Sequence, residues 1–177
     1  MKIIMNQEEQ DKINKEFIKA VKNGDLVLVK SLLNQGADIN SYDDNDYVLK
    51  ISAEKGHLEV VEYLVEHGVD IHTKNNQALI FASIKGHLDV VKYLVEKGAD
   101  IHALNDYALK LASFHGYLEI VKFFLFDCQI EVKKGTKKYL KEIKQETTLE
   151  LIEKRDLLFK LNKKVKQKIS TDKKIKI

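Results

Sequence analysis

The chain has 177 residues, of which 44% are hydrophobic and 32% charged, with eight glycines, no proline, no tryptophan and one cysteine. That length and apolar share suit one packed domain, and a single cysteine excludes a disulfide framework or a Cys-rich zinc module. The longest apolar run, Ala78 to Ala82, falls far short of the ~20 residues that cross a bilayer. Met1–Met5 meets Asn6 and Glu8 too soon for a signal-peptide core. These features predict a soluble, intracellular protein.

Residues 11–23 read as a first helix, with Ile13, Phe17 and Ala20 on one face and lysines around the rest. From there the glycines set the pattern. They stand at 24, 36, 56, 68, 86, 98 and 116, with gaps of 12, 20, 12, 18, 12 and 18. Such a schedule is the signature of an internal repeat. Aligned on it, Gly56-His57-Leu58-Glu59-Val60-Val61, Gly86-His87-Leu88-Asp89-Val90-Val91 and Gly116-Tyr117-Leu118-Glu119-Ile120-Val121 are copies, preceded by the looser Gly24-Asp25-Leu26-Val27. Four units follow, at about 11–40, 45–74, 75–104 and 105–133.

In each unit the apolar residues, such as 58, 61, 64 and 65, form one stripe of an amphipathic helix. Glu59, Asp89 and Glu119 favour the positive end of the helix dipole. Gly36, Gly68 and Gly98 end the helix, because glycine takes a left-handed backbone without a Cβ clash. Asp38, Asp70 and Asp100 follow, placed to bond the turn backbone. Upstream of each mid-unit glycine lies a shorter helix with small residues at its middle, as in Leu79-Ile80-Phe81-Ala82-Ser83.

After the fourth unit the pattern lapses. Cys128 stands where a glycine is due, and the array is expected to end there, with Cys128 a small apolar residue. Residues 131–177 hold 16 Lys+Arg against 7 Asp+Glu, whereas residues 1–130 hold 14 against 20. The net +3 thus joins an acidic array at −6 to a basic extension at +9. In the extension, Tyr139, Leu140 and Ile143 suggest a short helix, and Thr147 to Glu150 reads as a capping box. Beyond it Leu151, Leu158, Leu161, Val165 and Ile169 form an apolar stripe, predicting a helix to about 168 and a frayed end. This helix either seals the last repeat or meets a separate partner.

The Gly-His-Leu-Glu-Val-Val helix and the Gly-Ala-Asp-Ile tail resemble the ankyrin repeat family over roughly residues 11–133. The resemblance implies an all-α, ankyrin-type helical solenoid of about four repeats, with the basic helical extension at 134–177. Family units run about 33 residues and open Thr-Pro-Leu-His. Here the spacing is 32, 30 and 30, with Tyr47, Gln77 and Tyr107 in the Thr position. The shortening falls in the links, so the family's β-hairpin fingers are expected to shrink to tight turns. The 30-residue period and the Asn-Asp-Tyr-Ala-Leu variant resemble the short-repeat ankyrin arrays of giant DNA viruses of amoebae. One Arg among 30 basic residues fits an A/T-rich genome.

No catalytic, cofactor or metal constellation stands out. His57 and His87 share one repeat position and His72 and His102 another, which predicts structural jobs. His67 and His115 read as surface residues. No zinc spacing accompanies them. Asp43 to Asp46 lacks the central Gly and closing Glu of a calcium loop.

The resemblance instead implies a non-enzymatic module that binds a protein partner through the concave face. Carried onto this chain, the family's variable contact positions are the link residues Tyr42, Asp46, Tyr47, Lys74, Asn75, Leu104, Asn105 and Tyr107. The first-helix ends add Glu54, Lys55, Ile84, Lys85, Phe114 and His115. Phe114, Ile84, Tyr47 and Tyr107 are the expected anchors. A viral adaptor acting on proteins of the host cytoplasm is the finer form of this reading, and a monomer is expected. The competing reading is nucleic-acid or anionic-membrane binding through the Lys-rich extension. A single Arg offers almost no bidentate reader of bases or phosphates, which weighs against nucleic acid.

Overall fold

A computed structural model describes residues 6–40 and 47–174, with side chains as far as Gln167. Among these residues all regular structure is helical. The helices are α1 (Gln7–Asn23), α2 (Leu26–Asn34), α3 (Tyr47–Lys55), α4 (Leu58–Glu66), α5 (Thr73–Lys85), α6 (Leu88–Glu96), α7 (Ala103–Phe114), α8 (Leu118–Lys122), α9 (Lys134–Glu142) and α10 (Glu146–Lys174). Odd-numbered helices pack on one another in a row, α1 on α3, α3 on α5, α5 on α7 and α7 on α9. The second helices α2, α4, α6 and α8 form a parallel row behind them, and α10 joins α8.

The first helix starts earlier than its apolar face suggested. Asn6 caps it by accepting from the Glu9 N–H at 2.9 Å, while Glu9 accepts from the Asn6 N–H at 3.0 Å. That reciprocal pair satisfies two donors a helix start leaves open.

Both glycines of each of the first three units are left-handed helix ends. At Gly68, with φ 89°, the Val69 N–H reaches back to the Leu64 carbonyl at 3.1 Å, and Gly98 repeats this. Asp38, Asp70 and Asp100 then accept from the N–H two residues on, at 2.8–2.9 Å. The first-helix row closes up on small side chains. Ser52, Ser83 and Ser113 are fully buried, and each hydroxyl donates to the carbonyl four residues back, at 2.7–2.8 Å.

The links are shorter than a β-hairpin and of a different kind. Lys74, Asn75 and Asn76 all hold left-handed backbone, as do Leu104, Asn105 and Asp106. One left-handed turn thus feeds each right-handed helix, closed by Asn76 N–H to the His72 carbonyl (3.4 Å) and Asp106 N–H to His102 (3.3 Å). Asn and Asp accept this conformation more readily than other residues, which accounts for Asn75, Asn76, Asn105 and Asp106.

The third residue of that turn is a staple. Asn76 Oδ1 accepts from the Asp100 N–H at 2.8 Å, tying the start of one unit to its own far end. Asn14 Oδ1 does the same for Asp38 at 2.9 Å, and Asp106 Oδ2 for Lys133 at 3.4 Å. Positions 14, 76 and 106 each precede a mid-unit glycine by ten residues.

The stacking does not stop at Cys128. α8 runs on into a π turn, Phe123–Asp127, which holds one extra residue. The chain then turns left-handed at Gln129 (φ 52°) instead of 128, and Ile130 N–H reaches the Phe124 carbonyl at 3.3 Å. α9 takes the next place in the first-helix row, and Lys144 (φ 55°) fills the role of the mid-unit glycine, with Gln145 N–H bonded to Leu140. A fifth helix pair therefore continues the stack, with Leu140 and Ile152 fully buried.

Two expectations for this region are corrected. α10 begins at Glu146 and extends to Lys174, past 168, and Thr147 lies inside its first turn, so no capping box forms with Glu150. Thr148 is buried with its hydroxyl unpartnered. A buried hydroxyl without a partner costs on the order of 1 kcal/mol. Thr148→Val is therefore expected to raise the melting temperature by a few degrees; a lower one would show that the hydroxyl is needed.

Candidate binding face

His57 and His87 are structural. His57 Nε2 bonds the Lys22 carbonyl at 3.0 Å, and His87 Nε2 the Glu54 carbonyl at 2.9 Å, each reaching back to the end of the preceding unit's first helix. Their rings lie over Gly24 and Gly56. A Cβ on either glycine would stand 2.5 Å from the imidazole, and Tyr117 covers Gly86 in the same way.

His72 and His102 do not share a job. His72 is exposed, whereas His102 Nδ1 pairs with Asp106 Oδ1 at 2.7 Å. Asp106 is fully buried and also accepts from the Thr136 hydroxyl of α9 at 2.7 Å. Burial alone would raise its pKa, but the bonds from His102, Thr136 and the Lys133 N–H outweigh that and hold it below the usual carboxylate range. His67 and His115 are exposed. Burial and the Asp127 carboxylate push the Cys128 thiol up to about 11, which leaves it protonated and unreactive near neutrality. Among the described residues no three His, Cys, Asp or Glu side chains come together as a metal site.

The proposed contact positions fall into distinct environments. Leu104, Tyr107 and Phe114 are 53, 41 and 55% exposed. Tyr107 and Phe114 lie seven residues apart, so two helical turns bring them to one side of α7. Phe114 meets His115 edge-on at 5.2 Å, and His115 stacks at 6.1 Å from Tyr117, making an aromatic group at the helix end. Lys55, Lys74, Asn75, Lys85, Asn105 and His115 are exposed, and Glu54 is half-buried, with Lys85 3.9 Å from its carboxylate. Ile84 is half-buried against the core, which leaves it less to offer as an anchor. Tyr42 and Asp46 lie outside the described residues.

Sequence reading overlooked the lysines beside the rings. Lys22 and Lys50 lie over Tyr47 at 5.5 and 5.2 Å, Lys50 also over Phe81 at 5.5 Å, and Lys110 over Tyr139 at 5.6 Å. Each contact sets a cation on an aromatic face. The only available signal was Lys50 and Lys110 standing where the family pattern has His.

The two rows differ in charge. α3 and α5 carry Lys50, Lys55, Lys74 and Lys85 against Glu54, a net +3, whereas α4 and α6 carry Glu59, Glu62, Glu66, Asp89 and Glu96 against Lys92, a net −4. A chain acidic along its array is basic on its first-helix row.

Helix pairs stacked every 30 to 32 residues, the first three each closed by two left-handed glycines, define a helical repeat solenoid. The family model for ankyrin repeats (3 copies) matches residues 17–105, half of the chain. The chain belongs to the ankyrin repeat family.

It is 33% identical over 61 residues to a Rickettsia felis protein named for its ankyrin repeats, covering 34% of this chain and 97% of that one. It is 40% identical over 68 residues to the 2-5A-dependent ribonuclease of Mus musculus, covering 37% of this chain and 9% of the enzyme. Over another 68-residue match it is 32% identical to an ankyrin repeat and KH domain-containing protein of Caenorhabditis elegans, covering 38% of this chain and 3% of that one. The chain thus spans only a small part of the last two. Ankyrin repeats are binding modules as a family, and the match to the ribonuclease is confined to a small fraction of the enzyme. No helix among the described residues is long and apolar enough to cross a membrane.

Proposed function

We propose that this chain is a non-enzymatic interaction module that holds a protein partner against its first-helix row and links. The observation that carries the reading is Leu104. It is apolar, more than half exposed and left-handed at φ 50°. A left-handed β-carbon costs about 1–2 kcal/mol, and its side chain recovers little by folding. Lys74 holds the same backbone in the preceding unit, so what sets Leu104 apart is its exposed apolar side chain. Tyr107 and Phe114 extend the exposed apolar surface along the same helix, and large rings ringed by polar groups supply most interface energy. The net-positive first-helix row fits a partner segment that is acidic and carries apolar side chains.

The finer form of the reading is a viral adaptor acting on host proteins. What supports it is the 30-residue period and the single Arg among 30 basic residues.

Tyr107→Ala combined with Phe114→Glu is expected to leave the circular dichroism spectrum and melting temperature intact, because both rings are exposed. Capture of the partner from a lysate of the source cells should fall at least tenfold. Undiminished capture would place the site elsewhere.

A further inference from the structure

After Asp156, which holds Lys137 of α9 at 2.7 Å, α10 stops contributing to the core. Leu157, Leu158, Phe159, Leu161 and Val165 are 44 to 70% exposed. Leu158, Leu161 and Val165 recur at i, i+3 and i+7 with Leu157 flanking them, so they share one stripe. Lys160, Lys163, Lys164 and Lys166 are also exposed, and residues 157–167 contain no acidic side chain. This segment is a basic helix whose apolar stripe is left exposed among the described residues.

Its chemistry sorts the occupants. A nucleic acid would use the lysines and leave the leucines in water. A second copy of the helix would cover the leucines but oppose like charges along its whole length. An anionic lipid interface takes both, with apolar side chains at the acyl boundary and lysines among the headgroups. We propose that residues 157–167 lie in the interface of an anionic membrane, which would place the ankyrin stack against a lipid surface.

The test is sedimentation of the full chain with phosphatidylcholine vesicles, and with vesicles containing about a third phosphatidylserine. The chain should pellet with the anionic vesicles and stay in solution with the neutral ones, more weakly as salt rises. Lys160→Gln, Lys163→Gln, Lys164→Gln and Lys166→Gln together should weaken partitioning by roughly 600-fold, at about fivefold per lysine. Leu158→Ser, Leu161→Ser and Val165→Ser together should weaken it at least tenfold, with the melting temperature unchanged because these residues are exposed. Failure to pellet with anionic vesicles at low salt would overturn the proposal. So would equal binding to neutral vesicles. Full binding by the serine variant would also overturn it, since lysines that act alone serve any polyanion.

Discussion

Gly56→Ala is expected to lower stability by about 2–5 kcal/mol, the sum of two separate penalties. Gly56 has φ 75°, and an L-residue in that region costs about 1–2 kcal/mol. The new Cβ would also stand 2.5 Å from the His87 ring. The imidazole must swing away and give up its bond to the Glu54 carbonyl, leaving that group unpaired at a cost of about 1–3 kcal/mol. For a chain of this size the melting temperature should fall by roughly 10 °C. Gly68 has φ 89° with nothing within 4 Å of its absent Cβ, so Gly68→Ala should cost only the backbone term. In a His87→Ala background, Gly56→Ala should cost no more than Gly68→Ala. Equal losses at the two glycines in the unaltered chain would refute the stacking account.

The second large effect is expected at Asp106. Its buried carboxylate joins His102, the Thr136 hydroxyl and the Lys133 N–H. It therefore bridges the fourth helix pair to α9. Asp106→Ala would leave the buried Thr136 hydroxyl without its acceptor and free the half-buried His102 and the Lys133 N–H, at a cost of about 1–3 kcal/mol. Amide protection across α9 and the start of α10 should collapse, while α3 to α6 stay protected. Asp106→Asn, which retains one acceptor oxygen, should lose less. The pH dependence follows from the depressed pKa. The carboxylate's contribution is fully present above its unfolded value near 4 and is lost as pH falls through the lower folded value. Acid should therefore loosen α9 in the native chain and add little in Asp106→Ala. Uniform loss of protection along the chain would contradict the bridge.

Much of this was legible in the sequence because it rests on short-range chemistry. Gly36, Gly68 and Gly98 announce helix ends, since their left-handed backbone is open to glycine almost alone. The stripe of Val61 and Leu64 announces its buried face by spacing. What escaped was the fifth helix pair. Gln129 and Lys144 turn left-handed without the glycine that marks such turns elsewhere, and the π turn at Phe123–Asp127 delays the first of them by one residue. A schedule counted in glycines loses the pattern there, although the stack continues. Asn14, Asn76 and Asp106 were missed for another reason. Their bonds to backbone about 24 residues away exist only once the units fold. The candidate face was readable as positions, but not as chemistry. Nothing in spacing says that Ile84 turns into the core while Phe114 stays exposed, or that Lys50 lies between Tyr47 and Phe81.

The most direct test of the binding account is photo-crosslinking from single positions of the full chain. A benzoylphenylalanine at 107 or 114 lies on the first-helix row, and one at Val27, which is 81% exposed on α2, lies on the row behind. In a lysate of the source cells the first two should yield one common crosslinked protein, identified by mass spectrometry, and the third should not. Crosslinks to that protein from position 27, with none from 107 and 114, would place the partner on the opposite face and contradict the account.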